Sequence, residues 1–326
     1  MTTFHEHTDT VSVIIPVFNA AAWIRQTIDS ILAQTIRVLE ILVVDDGSTD
    51  NTADIVREYG SPVVYINQQH QGVSAARNRG IRTAKASLIA FIDGDDYWHQ
   101  RKLEAQIGLM GQKDLQWVSC EIQPFDSDTG AFVDGLTSPV QNGDVLEALF
   151  LNNFIGSATP LVRRDVFDQV GLFNEAHEAR IGEDWDMWLR IASIYPLGVV
   201  HERLAFLRLH GSSAMSSTSM NEKVKCLVGV VERAVERDSA RLAPLKGKAL
   251  AGIYYNAGVQ SFKQGQYRQA YDYFLLGLKY RPLKIESWIY LLMIKSGPAF
   301  SRHMVNLKRF LTGQSRQLKK QKHERE

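Results

Sequence analysis

Short apolar runs alternate with amphipathic helical patterns over the first hundred residues of the chain. The runs are rich in β-branched residues and occupy 11–18, 40–44, 63–66 and 88–92. The helical patterns between them occupy 21–34, 53–59 and 73–86. Strands that alternate with helices in this way pair in parallel through right-handed crossovers. The sequence therefore predicts an α/β fold with a doubly wound, Rossmann-like sheet.

Acidic residues stand where two of these predicted strands end. Asp45 and Asp46 end the second run, and Asp93, Asp95 and Asp96 follow the fourth. Because ligands bind beyond the carboxyl ends of strands in such sheets, we expect these carboxylates to converge at one edge. Like charges in a crevice repel each other unless a cation lies among them. The pattern therefore predicts a divalent metal site. Asp93 and Asp95 are two positions apart, so in an extended chain their side chains point the same way.

Several classes of protein are excluded by what the sequence lacks. No G-x-G-x-x-G follows the first strand and no G-x-x-x-x-G-K-[ST] occurs, which argues against dinucleotide oxidoreduction and P-loop hydrolysis. Two cysteines do not make a disulfide framework or a zinc site. The N-terminal segment lacks the basic and apolar parts of a signal peptide, and no apolar run is long enough to span a bilayer. We therefore expect a cytoplasmic protein.

Six sequence motifs, taken in order, resemble those of the family 2 glycosyltransferases, which are inverting nucleotide-sugar enzymes of the GT-A fold. The motifs read VSVIIPVFN, EILVVDDGSTDNT, GVSAARNRGI, FIDGDDYW, GEDWDMWLR and RLHGSS. The resemblance implies metal-dependent transfer of a hexosyl or N-acetylhexosaminyl group from a nucleotide-diphosphate sugar, expected to be UDP-linked. The implied acceptor is a hydroxyl of a glycan or lipid-linked molecule in surface polysaccharide biosynthesis.

The resemblance also implies which residues bind the donor. Pro16 and Asn19 shape the base pocket, and Asp46 accepts a hydrogen bond from the uracil imide N–H, a role that suits an acceptor-only carboxylate. Arg77 reaches the nucleotide or the diphosphate, or is a solvated charge on a helix face. Asp93 faces the ribose or the metal ion.

The metal ligands implied by the resemblance are Asp95 or its neighbour Asp96, together with His210. One sequence does not distinguish between the two aspartates. An imidazole ligand suits Mn²⁺ better than Mg²⁺ alone, and both ions remain candidates. The small, polar segment 211–219 is expected to be a loop that orders over the bound diphosphate.

The catalytic base implied by the resemblance is Asp184. In an inverting transfer the acceptor hydroxyl attacks the anomeric carbon directly, so one carboxylate suffices. Trp185 and Trp188 predict a core-facing helix that begins near Asp184, and its N-terminus is expected to lower the pKa of that carboxyl. Glu183 and Gly156 belong to the expected acceptor and sugar region, although turn geometry explains the glycine equally well.

The C-terminal third has a different pattern. Residues 254–282 resemble one tetratricopeptide-type helical hairpin, and residues 285–295 resemble the start of another. We therefore expect a catalytic domain over 1–220, a smaller all-α region over 221–297 and a tail over 298–326. One or two repeats do not form a self-sufficient solenoid, so the helices are expected to pack on the catalytic domain, a partner or a membrane face.

The tail holds the charge imbalance of the chain, with a formal charge of +6 over 298–326 against −5 over 1–297. Its apolar residues recur near helical spacing, which favours peripheral contact with an anionic membrane; a solvated terminus is the alternative. Nucleic acid is not expected as a partner. Nucleotidyl transfer, or a non-catalytic scaffold acting through the helical repeats, is the alternative function.

Overall fold

The computed structural model describes residues 9–176, 179–211 and 218–296. The chain divides into two compact units between Ala243 and Pro244. Most of the loop predicted over 211–219 and the whole basic tail lie outside the described residues. Within the described ranges, no helix combines the length and apolar character needed to cross a membrane.

The first unit is built on an eight-stranded mixed sheet. Its strands are β1 Val11–Val17, β2 Glu40–Asp45, β3 Val63–Asn67, β4 Leu88–Phe91, β5 Tyr97–Trp98, β6 Trp117–Asp126, β7 Leu161–Arg163 and β8 Gly198–Leu209. They lie in the order β3-β2-β1-β4-β7-β6-β8-β5. The first four strands pair in parallel, as predicted, whereas β7 is antiparallel to both its neighbours. The α/β class is confirmed.

The first unit also contains helices, which pack on the sheet or on one another. They are α1 Ile24–Leu32, α2 Thr52–Arg57, α3 Val73–Thr83, α4 Lys102–Lys113, α5 Leu146–Leu151, α6 Val166–Val170, α7 Glu183–Ala192, α8 Met220–Arg237 and α9 Ser239–Leu242. Every residue of β1, β2 and β4 is buried, which is why these strands read as continuous apolar runs. Because β1 lies between β2 and β4, the acidic ends of the latter two flank it at one edge.

The second unit is helical, as predicted. A short 3-10 turn, Ala243–Leu245, precedes α10 Lys246–Lys263, α11 Tyr267–Tyr280 and α12 Ile285–Lys295. The first two helices form a close hairpin, in which a Cβ on Gly258 would lie 2.7 Å from the ring of Phe274. That ring stacks on Tyr290 of α12 at 4.9 Å. The end of the catalytic domain at residue 220 stays a prediction. Helix α8, which follows that residue, belongs to the first compact unit.

Candidate active site

The turn after β4 carries three aspartates to the edge where β1 and β2 also end. The backbone N–H of Asp96 donates to the carbonyl of Asp93 at 3.1 Å. The prediction of an extended chain through Asp93 and Asp95 is therefore wrong, because this hydrogen bond closes a tight turn. Gly94 lets the turn lie against β1, since a Cβ there would be 2.7 Å from Cγ1 of Val17.

Arg77 of α3 joins two of the predicted acidic residues. Its side chain donates to Asp93 and to Glu183, each at 2.8 Å, and Ser157 donates to the other oxygen of Asp93 at 2.7 Å. Arg77 is only 2% exposed. Burial works to lower the pKa of Arg77, but the negative charges of Asp93 and Glu183 more than offset it, so the pKa is raised. Contact of Arg77 with the nucleotide stays a prediction.

Asp184 lies in the first turn of α7, directly beside this network. It is half-buried, and one carboxylate oxygen accepts from the backbone N–H of Trp185 at 2.6 Å. Burial and the nearby charge of Glu183 raise the pKa of Asp184 to about 7, although Arg77 opposes them. The expectation that the helix N-terminus lowers this pKa is wrong, because desolvation outweighs the helix dipole here. A carboxylate with this pKa suits proton transfer near neutral pH.

A buried ion cluster fixes α7 from its other side. The carboxylate of Asp186 accepts from Arg190 at 3.1 Å, from Arg237 at 3.0 Å and from Arg233 at 3.4 Å. Burial works to raise the pKa of Asp186, but the charges of Arg237 and Arg190 prevail and lower it. Because two of these arginines belong to α8, the cluster ties that helix to α7.

The structure brings Asp95 to the predicted histidine. Nε2 of His210 lies 2.8 Å from Oδ2 of Asp95, and the imidazole packs on Trp23 with ring centroids 4.2 Å apart. Burial and the charge of Asp93 raise the pKa of Asp95, against the effect of His210. The two residues stand 115 positions apart in the sequence.

Asp96 has a different environment from Asp95. Its side chain is buried, and Oδ1 accepts from the backbone N–H of Arg208 at 2.9 Å. Burial, together with the charges of Asp95 and Asp93, raises its pKa well above the usual value. The turn therefore holds Asp95 at His210 and Asp96 in the interior.

The donor set at this turn fits a divalent cation bound jointly with a substrate. In the part of the chain that the structure describes, no three acidic, histidine or cysteine side chains are grouped as a complete metal site. Asp95 and His210 offer one oxygen and one nitrogen. Mg²⁺ in nucleotide sites is held by one or two carboxylates together with substrate phosphates, so a protein pair is a sufficient contribution. Metal binding by these residues stays a prediction.

Asp46 lies in a cradle of protein donors between β2 and α3. Oδ1 accepts from the side chain of Gln68 and the backbone N–H of Gln71, both at 2.8 Å. Oδ2 accepts from the backbone N–H of Gly72 at 2.8 Å and lies 2.9 Å from Nδ1 of His70. Four partners fill the acceptor capacity of a carboxylate. A uracil N–H would have to replace one of them, and the imidazole, 63% exposed, is at the rim.

Asn19 connects the ends of β1 and β2. Its backbone is in the left-handed region, with φ of 52°, which asparagine tolerates better than most residues. Its side-chain oxygen accepts from the N–H of Thr49 at 2.8 Å, and its own N–H donates to Ser48 at 2.9 Å. Pro16 is buried within β1. Asn19 therefore shapes the loop at this edge, and base binding by Pro16 and Asn19 stays a prediction.

Phe18 and His70 are candidate site residues that the sequence did not reveal. Their rings lie 4.6 Å apart, and Phe18 is 50% exposed beside the Asp46 cradle. Gln68 was likewise missed. All three follow strands that end at the same edge, β1 for Phe18 and β3 for Gln68 and His70. Position after a strand was the signal that could have identified them.

Gly156 lies beside the residues that bind Asp93. The next residue, Ser157, donates to the Asp93 carboxylate. The carbonyl of Gly156 itself accepts from the hydroxyl of Thr159 at 2.8 Å. A Cβ on Gly156 would lie 3.0 Å from Cδ1 of Ile122. The glycine therefore serves a close approach to β6, and its role near an acceptor stays a prediction.

The sequence of the chain matches the model of Glycosyl transferase family 2 over residues 12–171. It is 31% identical to Uncharacterized glycosyltransferase RP339 of Rickettsia prowazekii over 217 residues, which cover 65% of this chain and 67% of that protein. It is 32% identical to Uncharacterized glycosyltransferase EpsJ of Bacillus subtilis over 186 residues, 53% of each.

The fold is similar to that of S. aureus TarS. The crystal structure of TarS 1-349 aligns with a TM-score of 0.59 at 18% identity, covering 87% of this chain and 83% of that one. The structure of TarS 1-349 in complex with UDP-GlcNAc aligns with a TM-score of 0.61 at 17% identity, covering 83% and 81%. The sequence matches show that the chain belongs to glycosyl transferase family 2 and is a glycosyltransferase, and its GT-A-like sheet agrees with this.

Proposed function

We propose that the protein transfers a sugar, with inversion, from a UDP-linked donor to a hydroxyl of a glycan or lipid-linked acceptor. Surface polysaccharide biosynthesis is the proposed setting. Family membership supports sugar transfer, and the similar fold of TarS in complex with UDP-GlcNAc supports a UDP-linked hexosamine as donor.

The observation that carries the proposal is the environment of Asp184. An inverting transfer needs a base that removes the proton of the acceptor hydroxyl while its oxygen attacks the anomeric carbon and the bond to UDP breaks. Asp184, with its pKa raised to about 7 by burial, is available for that role near neutral pH. Hydrogen bonds from Arg77 to Glu183 and Asp93 hold the neighbouring acidic groups in fixed positions.

The Asp46 cradle supports recognition of a nucleobase at the other end of the site. A uracil N–H would take the place of the exposed His70 imidazole at the buried Asp46 carboxylate, and the exposed ring of Phe18 offers apolar surface for a planar base. An aromatic ring beside fixed hydrogen-bonding groups is a common way to bind bases.

We also propose that Asp95 and His210 hold a divalent cation, Mn²⁺ or Mg²⁺, together with the donor. Bound there, the ion would neutralise the negative charge of the diphosphate leaving group. The turn at Gly94 and the packing of His210 on Trp23 fix the two side chains that would contact it.

A transfer assay tests the proposal. The full chain is incubated with Mn²⁺ and UDP-GlcNAc, and UDP release is measured with and without added glycan acceptors. Wild type is expected to release UDP, whereas Asp184→Asn keeps UDP binding and loses most of the release. Asp168→Asn, an exposed carboxylate in the first turn of α6, is the matched control and retains activity. Normal transfer by Asp184→Asn would refute the assignment of the base.

Association with a membrane is proposed from the charge of the tail. The positive charge of residues 298–326, interspersed with apolar residues, suits an anionic lipid surface. Peripheral contact there would bring the enzyme to a lipid-linked acceptor.

A further inference from the structure

Three aromatic rings are stacked in a row that leads away from the aspartate turn. Tyr97 of β5 stacks on Phe206 of β8 with centroids 4.5 Å apart and planes 9° apart. Phe206 in turn stacks on Phe132, at 5.9 Å and 22°. Phe125 of β6 packs its edge against Tyr97 at 5.2 Å. We call Tyr97, Phe206 and Phe132 the aromatic row.

The outer ring of the aromatic row faces solvent. Phe132 is 61% exposed, although its backbone is fixed by a bridge to Phe125 and by the hydrogen bond from Val133 to Pro124 at 2.9 Å. A ring that served only to fill a core would be covered, since leaving it in water forfeits most of its burial energy. A rigid, exposed aromatic face is instead typical of a binding surface.

A polar cavity adjoins the aromatic row. Its volume is about 360 Å³, within the range of small-molecule sites. Its lining includes hydrogen-bonding side chains from β6, β8 and the segment between β6 and α5: Gln123, Asp134, Thr137, Ser138 and Arg203. Gln123 pairs in register with Phe206, and Asp134 follows Phe132 by two residues. The cavity and the exposed ring are therefore neighbours.

The charges of the cavity disfavour an anionic occupant. Its lining contains two carboxylates, Glu121 and Asp134, and one guanidinium, Arg203. Arg203 donates to Gln123 and lies 3.6 Å from the carboxylate of Asp134, which leaves its positive charge compensated. A phosphate would meet net repulsion here, whereas neutral hydroxyl groups find both donors and acceptors.

The aromatic row begins next to the aspartate turn. Tyr97 directly follows Asp96, and Nε of Arg208 donates to the carbonyl of Asp95 at 2.8 Å while its guanidinium lies 4.6 Å from the ring of Phe125. Ile122 of the cavity lies against Gly156, since a Cβ there would be 3.0 Å from its Cδ1, and the next residue, Ser157, donates to Asp93 at 2.7 Å. A ligand on the aromatic row would thus lead into the proposed catalytic site.

We propose that the aromatic row and the adjoining cavity form a subsite for a neutral sugar residue of the acceptor glycan. The apolar C–H face of a pyranose ring packs on Phe132, and its hydroxyl groups bind the polar side chains of the cavity. The subsite extends the proposed function, on which it rests, because it names how the acceptor is held and excludes a phosphorylated group at this position.

Saturation-transfer difference NMR on the full chain tests the subsite, with UDP and Mn²⁺ present. The probes are cellobiose, lactose, N,N′-diacetylchitobiose and maltotriose. At least one is expected to bind, with saturation strongest on the C–H protons of one ring face. Phe132→Ala should weaken that binding about tenfold through loss of the aromatic contact, and Phe132→Tyr should retain it. Leu136→Ala, which removes another exposed apolar side chain of the same segment, should leave it unchanged.

Thermal stabilisation by UDP is measured on the same variants, because it separates the subsite from the proposed function. Unchanged stabilisation of Phe132→Ala by UDP, with weakened sugar binding, supports the subsite. Binding of none of the four sugars at millimolar concentration, or equal binding to wild type and Phe132→Ala, overturns it. Failure of wild type to bind UDP would instead count against the proposed function.

Discussion

The guanidinium of Arg77 lies 2.8 Å from the carboxylate of Glu183 and joins α3 to the first turn of α7 across 106 positions of sequence. The same guanidinium holds Asp93 after β4. One buried cation thus positions acidic groups from two separate parts of the chain beside Asp184. The following predictions test this arrangement and the surfaces around it.

Arg77→Met is expected to lower the free energy of unfolding by about 3–5 kcal/mol, because it leaves two partly buried carboxylates without their cation. It should also raise the pKa of Asp184 further, since the charge of Arg77 opposes that rise. Urea unfolding and the pH profile of kcat/KM measure the two effects. Arg82→Met, on the exposed side of the same helix, is the control and should change neither. Stability equal to wild type would contradict the structural role.

The pKa of about 7 for Asp184 predicts the pH dependence of transfer. The proposed base would act when ionised, so kcat/KM should rise as the pH rises through about 7 and then level off. Because the folded-state pKa lies above that of the unfolded chain, ionisation of Asp184 costs stability as the pH rises. Asp184→Asn should therefore gain stability relative to wild type at pH above 7, and the difference should vanish in acid. A pH-independent difference in Tm would contradict this.

Phe18→Ala is expected to weaken UDP binding about tenfold, because it removes an aromatic surface beside the Asp46 cradle. Isothermal titration calorimetry with UDP measures the change. Leu32→Ala removes an exposed apolar side chain of α1 and serves as the control. Equal loss for the two variants would point to a general effect on folding.

Removal of the metal should weaken UDP binding if Asp95 and His210 hold the ion. EDTA is expected to lower UDP affinity, and Asp95→Asn and His210→Ala should each weaken Mn²⁺ binding about tenfold or more. Asp96→Asn should keep Mn²⁺ affinity, because that side chain lies in the interior. His201→Ala, an exposed histidine of β8, is the control. Titration of Mn²⁺ followed by electron paramagnetic resonance distinguishes these outcomes, and loss of Mn²⁺ affinity in Asp96→Asn alone would reverse the assignment.

Truncation to residues 1–297 tests the tail. The shortened chain should no longer sediment with anionic vesicles of phosphatidylglycerol, since each basic residue near such a surface contributes about 1 kcal/mol. Its UDP affinity should be unchanged. Vesicles of phosphatidylcholine are the control and should bind neither form, and equal sedimentation of both forms with anionic vesicles would contradict the proposal.

The alternation of apolar runs and helical patterns was sufficient to predict β1 to β4 and their parallel pairing, because the fully buried strands β1, β2 and β4 are continuous apolar runs. The sheet beyond β4 was not predictable in this way. Its strand β7 has only three residues, and β8 pairs with β6 across an irregular register, so neither carries a clear period.

The sequence was enough to identify several residues of the candidate site, but not the contacts and the burial of their side chains. Asp95 and Asp96 have the same side chain, and only the turn closed by Asp93 distinguishes their environments. The aspartates after β2 have partners of their own: Tyr65 donates to Asp45 at 2.7 Å, and Gln68 donates to Asp46 at 2.8 Å. The sequence pattern does not show these contacts. Burial of Asp184 depends on tertiary packing, which the helix pattern alone does not report.

The ion cluster at Asp186 also controls the orientation of Asp184, the proposed base. On a helix of 3.6 residues per turn, positions two apart lie roughly 200° around the axis, so Asp184 and Asp186 face nearly opposite directions. Locking Asp186 to Arg233 and Arg237 of α8 therefore sets the rotational angle of α7, and with it the direction of the Asp184 carboxylate.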